Sequence, residues 1–190
     1  MASVPRPRRA AHGAAIVVRR AAPAAASRIA IELSLRCRAW RKALPEAAAL
    51  AEEAARTALA AAKAKLAPVV EVTLILGDDA LVRGLNQRWR QRDAATNVLS
   101  FATGEIAAPD RPQLLGDVVL AYETVAREAA AQGKTLADHL RHLVVHGVLH
   151  LLGWDHEEDA EASRMEALER RILRRLGIAD PYCVREVADG

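Results

Sequence analysis

The sequence predicts an α+β protein with a single mixed β-sheet of about four strands, packed with about five helices. Short runs rich in β-branched residues alternate with longer stretches of helical periodicity. The predicted order, roughly βαβαββααα, lacks the strict βα alternation of an all-parallel sheet. We expect the helix that carries His146 and His150 to be central and packed on the sheet.

The chain of 190 residues is long enough for one domain with a substantial core, which we expect to span residues 29–182. Residues 1–28, rich in Ala, Arg and Pro, predict a disordered leader, and residues 183–190 a tail. A targeting role for the leader stays open, because it superficially resembles an organelle transit peptide. No apolar run approaches the about 18 residues of a membrane span, so we expect a cytoplasmic protein without membrane contact.

Charge is distributed unevenly along the chain. The formal net charge is +3, but residues 1–28 contain six arginines and no acid. Residues 29–190 therefore hold 21 of the 27 basic residues against all 24 acidic ones, a net charge of −3. A binding site for a polyanion has to be argued from local charge and not from overall basicity. The two cysteines lack CxxC spacing and suggest neither a disulfide framework nor a cysteine metal site.

The first predicted strand alternates apolar and polar residues, and the others are rich in β-branched or apolar residues. The predicted strands are 29–35, 69–76, 96–102 and 114–122. Helices are predicted from Pro45 to about residue 66, from the 77–79 turn through Trp89, over 123–132, from Thr135 through His150, and over about 158–176. Thr135 and Asp138 form a plausible capping box, and Gly153 and Gly177 are placed to end the last two helices.

Three histidines are spaced so that one divalent metal ion could bind all of them. His146 and His150 are four residues apart, which puts them on one face of a helix. A chain that reverses at Gly153 can return His156 over that face. Three protein ligands with one open position are the pattern of a catalytic zinc site, so we predict one Zn²⁺ per chain. His142, one turn earlier, could close the site as a fourth ligand, although a solvent-facing or second-sphere position is favoured.

The same spacing occurs in metzincin proteases, in which the residue after the first histidine is a glutamate that acts as general base. Here that position is Gly147, so a peptidase would have to find its base elsewhere. A metal-dependent peptidase or other hydrolase therefore stays as an alternative.

Arginines form a second candidate cluster. Arg83, Arg88, Arg90 and Arg92 lie in a stretch, residues 81–92, without an acidic residue. Such a run is usually a solvated face. A guanidinium near a metal could instead bind a phosphate in a bidentate manner and neutralise charge that develops on phosphorus.

Four segments occur in a characteristic order: LNQRWRQRD (85–93), TNVLSF (96–101), LGDV (115–118) and HGVLHLLGWDH (146–156). With these segments the chain resembles, over about residues 29–182, the YbeY family of bacterial endoribonucleases and rRNA maturation factors. The resemblance implies that His146, His150 and His156 hold zinc and that Arg90 is needed for RNA cleavage. The implied role is maturation of the small-subunit 16S rRNA 3′ end and ribosome quality control, with the small subunit and its assembly factors as partners.

The substrate expected from these residues is single-stranded RNA, whose unstacked ends and loops fit a protein cleft; DNA is not expected. Arg88 and Arg92 are the candidate RNA-binding residues beside Arg90. The chain departs from the family in having Trp89 for the usual Tyr or Phe and Gln91-Arg92 for the common Gly-Lys. A second alternative is a non-enzymatic ribosome assembly factor with a structural zinc ion.

Overall fold

The computed structural model of the chain describes residues 28–62, 66–108, 110–154 and 158–182. Within them, one mixed four-stranded sheet packs with six helices, which confirms the predicted α+β class. The strands are β1 (Arg28–Leu35), β2 (Val69–Gly77), β3 (Val98–Ala102) and β4 (Gln113–Ala121). The helices are α1 (Arg38–Ala43), α2 (Ala47–Ala61), α3 (Asp79–Arg90), α4 (Tyr122–Ala131), α5 (Leu136–Leu151) and α6 (Asp159–Arg175). The leader through residue 27 and the tail 183–190 lie outside the described residues.

The strand order β1-β2-β4-β3 places β3 at one edge of the sheet. β1, β2 and β4 are parallel, and β3 pairs antiparallel with β4. Because successive side chains point to opposite faces, Ser100 of β3 faces the same side as its partner Val118, and Phe101 faces the other side with Asp117. The edge strand therefore contributes residues to both faces of the sheet.

One face of the sheet is covered by α2 and α5. Alanines of α2 that are fully buried let this helix approach α5 closely. Val144 and Val148 of α5 pack with Leu74 and Val118 of the sheet in the main hydrophobic core. The His-bearing helix also contacts α4 and α6, which confirms its predicted central position.

The opposite face carries α3. Its N-cap is Asp78, whose side chain accepts a hydrogen bond of 2.8 Å from the Leu81 backbone N–H. Val82 of α3 packs against Leu99 and Val119 in a second, smaller core. The sheet thus separates α3 from α5. None of the helices in the described part of the chain is long and apolar enough to cross a membrane.

The helix α1 is missing from the prediction. Six residues are too few to show a helical period, and Trp40 secures this turn through tertiary contacts. Its Nε1 donates to the Gly77 carbonyl at 2.9 Å, and its ring meets the edge of Tyr122 at 5.2 Å between centroids. The long alanine-rich helix, predicted from Pro45 to about residue 66, is shorter in the structure and spans Ala47–Ala61.

A buried polar network fixes the start of the edge strand. The Asn97 side chain accepts from the Val98 N–H at 2.7 Å and donates to Glu128 Oε2 at 2.9 Å. The same carboxylate oxygen lies 2.9 Å from His139 Nε2 of α5. Burial lowers the pKa of His139, which favours its neutral form. Asn97, part of the TNVLSF segment, therefore ties β3 to α4 and α5.

Gly147 sets the distance between α5 and the sheet. A Cβ atom at this position would lie 2.6 Å from Val118 Cγ1, closer than real contacts allow, and 3.0 Å from Ser100 Oγ, which is a tight contact. The helix backbone therefore lies directly against β4 and β3. A glutamate at this position would require the helix to move away from the sheet, so the metzincin base has no place here.

We expect Gly147→Ala to lower the free energy of unfolding by about 1–2 kcal/mol, because the cost of overpacking exceeds the gain in helix propensity. Gly84 of α3 is the matched control, since its Cβ would meet no atom within 4 Å. Gly84→Ala should stabilise the protein by about 0.5–1 kcal/mol. Denaturant unfolding measures both, and a Gly147→Ala protein as stable as Gly84→Ala would contradict the packing argument.

Candidate functional site

His146 and His150 lie side by side on the last two turns of α5. Their Nε2 atoms are 3.0 Å apart, and their ring planes meet at 79°. Two nitrogen ligands of a tetrahedral zinc ion, each at about 2.0–2.1 Å, lie about 3.3 Å from one another. The two imidazoles are therefore placed as a pair of ligands to one ion would be.

A buried carboxylate that the prediction missed orients His146. Glu169 of α6 is 1% exposed, and its Oε1 lies 2.8 Å from His146 Nδ1. A carboxylate bonded to one ring nitrogen of a histidine directs the other nitrogen to a metal and raises its basicity. Burial acts to raise the pKa of Glu169, but the neighbouring side chains of His142, His146 and Tyr182 outweigh it and lower the pKa to about 2. Glu169 is thus an anion at neutral pH.

His142 and Tyr182 complete the surroundings of this carboxylate. The Tyr182 hydroxyl donates to Glu169 Oε2, and His142 Nε2 lies 3.8 Å from the same oxygen. The two rings meet edge to face at 6.1 Å. Burial and the Glu169 anion both raise the pKa of Tyr182, so it stays a donor. The structure places His142 beside Glu169 and Tyr182, one helical turn before His146.

The third predicted ligand, His156, lies outside the described residues, as does its neighbour Asp155. Within the described ranges, no group of three His, Cys, Asp or Glu side chains is assembled to hold a metal ion. The turn before His156 follows the prediction: Gly153 has a φ of +80°, and the Trp154 N–H bonds to the Leu149 carbonyl at 3.1 Å. The structure describes three residues of the candidate metal site: His146, His150 and Glu169.

A cleft of about 280 Å³ opens beside His150. Its walls are the end of β3 with the loop that follows, residues 102–105, the first residues of β4, and the last turn of α5. Ala102 and His150 thus border the same space. A ligand in this cleft would lie between His150 and the end of the edge strand.

The arginine cluster is smaller than the sequence indicates. Arg83 forms a bidentate pair with Asp93, with Nε–Oδ1 and Nη2–Oδ2 distances of 2.6 and 2.8 Å. The hydrogen bond and charge of Asp93 raise the pKa of Arg83, and the bond from Arg83 lowers the pKa of Asp93. Asn86 supports the same loop by donating to the Ala94 carbonyl at 2.7 Å. Arg83 therefore holds the loop after α3.

The other three arginines, Arg88, Arg90 and Arg92, are exposed at the end of α3. This end of the helix meets β3 through Trp89, whose ring centroid is 6.4 Å from that of Phe101. Phe101 and Ala102 are neighbours in β3 but face opposite sides of the sheet. The arginines and the histidines consequently flank the same end of β3 from opposite faces, an arrangement that the sequence did not predict.

A signal for Glu169 does exist in the sequence. The inward positions predicted for the last helix include Met165, Leu168 and Ile172, and position 169 belongs to that same stripe. The structure buries Met165, Leu168, Glu169 and Ile172 together. A charged residue at an inward position requires a buried partner. The histidines of α5 could have been proposed as the partners of Glu169.

Comparison with known proteins identifies the family. The family model described as Endoribonuclease YbeY matches residues 36–177. The chain belongs to the endoribonuclease YbeY family. The Endoribonuclease YbeY of Paramagnetospirillum magneticum is 54% identical over 158 residues, which cover 81% of this chain and 96% of the relative. That of Azorhizobium caulinodans is also 54% identical, over 142 residues, covering 75% and 89%.

The solution structure of TM1509 from Thermotoga maritima has a TM-score of 0.47 and 23% identity, covering 82% of this chain and 100% of that one. The family match confirms the resemblance found in the sequence, and with it the prediction of an enzyme of the endoribonuclease class.

We expect Tyr182→Phe to lower the free energy of unfolding by about 1–3 kcal/mol, because it removes a hydrogen bond to the buried Glu169 anion. The substitution keeps the ring, which lies 4.8 Å from the Arg170 guanidinium carbon. Arg170→Gln, which alters that outer contact and the two partly exposed ion pairs with Glu166 and Asp180, should cost less than about 1 kcal/mol. Equal losses in urea unfolding would count against the role of the hydroxyl.

Proposed function

We propose that this chain is a zinc-dependent, single-strand-specific endoribonuclease, with the ion held by His146, His150 and His156. The observation that carries the proposal is the contact of 2.8 Å between Glu169 and His146 Nδ1, next to a second imidazole 3.0 Å away. A buried carboxylate that fixes the outer nitrogen of a histidine is the arrangement found at metal sites. Membership of the family supports the reaction class.

In this proposal, the Nδ1–H group of His146 donates a hydrogen bond to the Glu169 carboxylate. This bond keeps the proton on Nδ1 and leaves Nε2 unprotonated. The zinc ion, when bound, would supply Lewis acidity toward a phosphodiester oxygen. Arg90 stabilises the negative charge that develops on phosphorus in the transition state. The cleft beside His150 gives the RNA access to the histidines.

RNA binding is assigned to the exposed end of α3. Arg88 and Arg92 lie next to Arg90, and Arg83 is already neutralised by Asp93. Because residues 29–190 carry a net charge of −3, affinity depends on this local cluster and should fall as salt is added.

The biological role proposed is maturation of the 16S rRNA 3′ end and ribosome quality control in the cytoplasm, with the small ribosomal subunit and its assembly factors as partners. The support for this role is the family to which the chain belongs. We place the activity in one domain spanning residues 29–182, preceded by the basic leader and followed by a short tail.

The test combines elemental analysis of the purified protein with cleavage of a small-subunit rRNA fragment. We expect about one zinc per wild-type chain and cleavage that a chelator abolishes. His146→Ala should lose both, and Arg90→Ala should keep zinc but lose about 10²–10³-fold in cleavage rate. Arg171→Ala is the matched control, because Arg171 is exposed on α6 away from Glu169, and it should cleave like wild type.

Three results would contradict parts of this proposal. Full cleavage by a folded Arg90→Ala protein removes Arg90 from the mechanism. Wild-type protein that binds zinc without cutting RNA indicates an assembly factor with a structural ion. Peptide cleavage that depends on His150, with RNA left intact, indicates a peptidase.

Glu169→Gln should weaken zinc affinity by about 10- to 100-fold, because an amide cannot hold His146 in the required tautomer as strongly as an anion. Competition with a chromophoric chelator measures the affinity directly and without RNA. Glu166→Gln, three residues earlier on α6 and half exposed in a pair with Arg170, is the matched control. Equal zinc affinity in the two variants would rule out the positioning role of Glu169.

A further inference from the structure

Trp89 is exposed where a tryptophan would normally be buried. Its exposed fraction is 63%, whereas Trp40 is fully buried in the core. Tryptophan is enriched at binding interfaces, and a ring this exposed can offer its flat face to a partner, which makes it a candidate contact for a ligand. Its position beside Arg88 and Arg90 suggests which ligand to consider.

The ring of Trp89 has two neighbours. Phe101 of β3 lies 6.4 Å away with the ring planes at 60°, and the Arg88 guanidinium carbon lies 5.3 Å from the Trp89 centroid. A ring that is both supported and largely open loses little freedom when a flat partner stacks on it.

The location matches the proposed path of RNA. Trp89 lies on one face of the end of β3, and the cleft beside His150 lies on the other face, bordered by Ala102. Proteins hold single-stranded nucleic acid by stacking bases on aromatic rings while cationic side chains follow the phosphates. Aromatic and cationic side chains occur together here, and residues 81–92 include no acidic residue.

We propose that Trp89, supported by Phe101, is a stacking platform for one unpaired base of single-stranded RNA, next to the nucleotides whose phosphodiester enters the histidine cleft. The inference rests on the proposed endoribonuclease function and adds a base-binding subsite to it. Arg88, which lies over the ring, turns to a neighbouring phosphate or caps the stacked base. The platform takes any base, because every base offers a flat face.

The experiment measures the affinity of the full-length protein for two uncleavable 2′-O-methyl oligonucleotides of equal length. One oligonucleotide carries bases and the other is abasic. Charge attraction, including that of the six leader arginines, acts on both, whereas stacking acts only on the first. We expect Trp89→Leu to bind the base-containing strand about tenfold more weakly and the abasic strand like wild type. Trp89→Phe, which keeps an aromatic face, should stay within about threefold of wild type on both strands.

Tryptophan fluorescence gives a second readout. The base-containing strand should quench the wild-type emission, and the quenching should disappear in Trp89→Phe, in which Trp40 and Trp154 remain. Equal affinity of wild type and Trp89→Leu for the base-containing strand would overturn the platform, whether or not the protein cuts RNA. Base-dependent binding through Trp89 by a wild-type protein that cuts no RNA would support the platform and overturn the proposed function.

Discussion

The close approach of α5 to the sheet at Gly147 determines where the two histidines of this helix lie. With no side chain at this position, the helix backbone lies against Val118 and Ser100, and a Cβ would be 2.6 Å from Val118 Cγ1. His146 and His150 are therefore carried next to the edge strand instead of being held a layer away from it. The same contact explains why this helix has histidines at zincin spacing without the zincin glutamate: the position is used for packing.

One imidazole of the pair is held from α6. Glu169 contacts His146 Nδ1 from inside the protein, where an isolated carboxylate would cost several kcal/mol. Contacts with His146, Tyr182 and His142 offset that cost and lower the pKa of Glu169 to about 2. The last helix and the residues that follow it are thus coupled to the histidines, although no residue of α6 belongs to the HGVLHLLGWDH segment.

The elements predicted well are those with a local physical cause. Thr135 caps α5 by accepting from the Asp138 N–H at 3.0 Å, and Gly153 ends it with a φ of +80°, as spacing alone indicated. The features that were missed depend on contacts distant in sequence. The turn α1 exists because Trp40 donates a hydrogen bond to Gly77, 37 residues away. Glu169 was missed because its neighbours on the inward face of α6 are apolar, and its partners lie on another helix. Arg83 looked like a phosphate ligand until the fold paired it with Asp93.

If RNA binds as proposed, on both faces of the end of β3, the arrangement gives a physical reason for a single-stranded substrate. A phosphodiester held at the histidines and a base stacked on Trp89 belong to a chain that crosses the end of the edge strand, from Ala102 on one face to Phe101 on the other. A flexible strand with unstacked bases can bend around an edge one strand thick. A duplex cannot do so, since its bases are paired and its backbone is stiff. In the proposed function, selectivity follows from the position of a strand end between two helices.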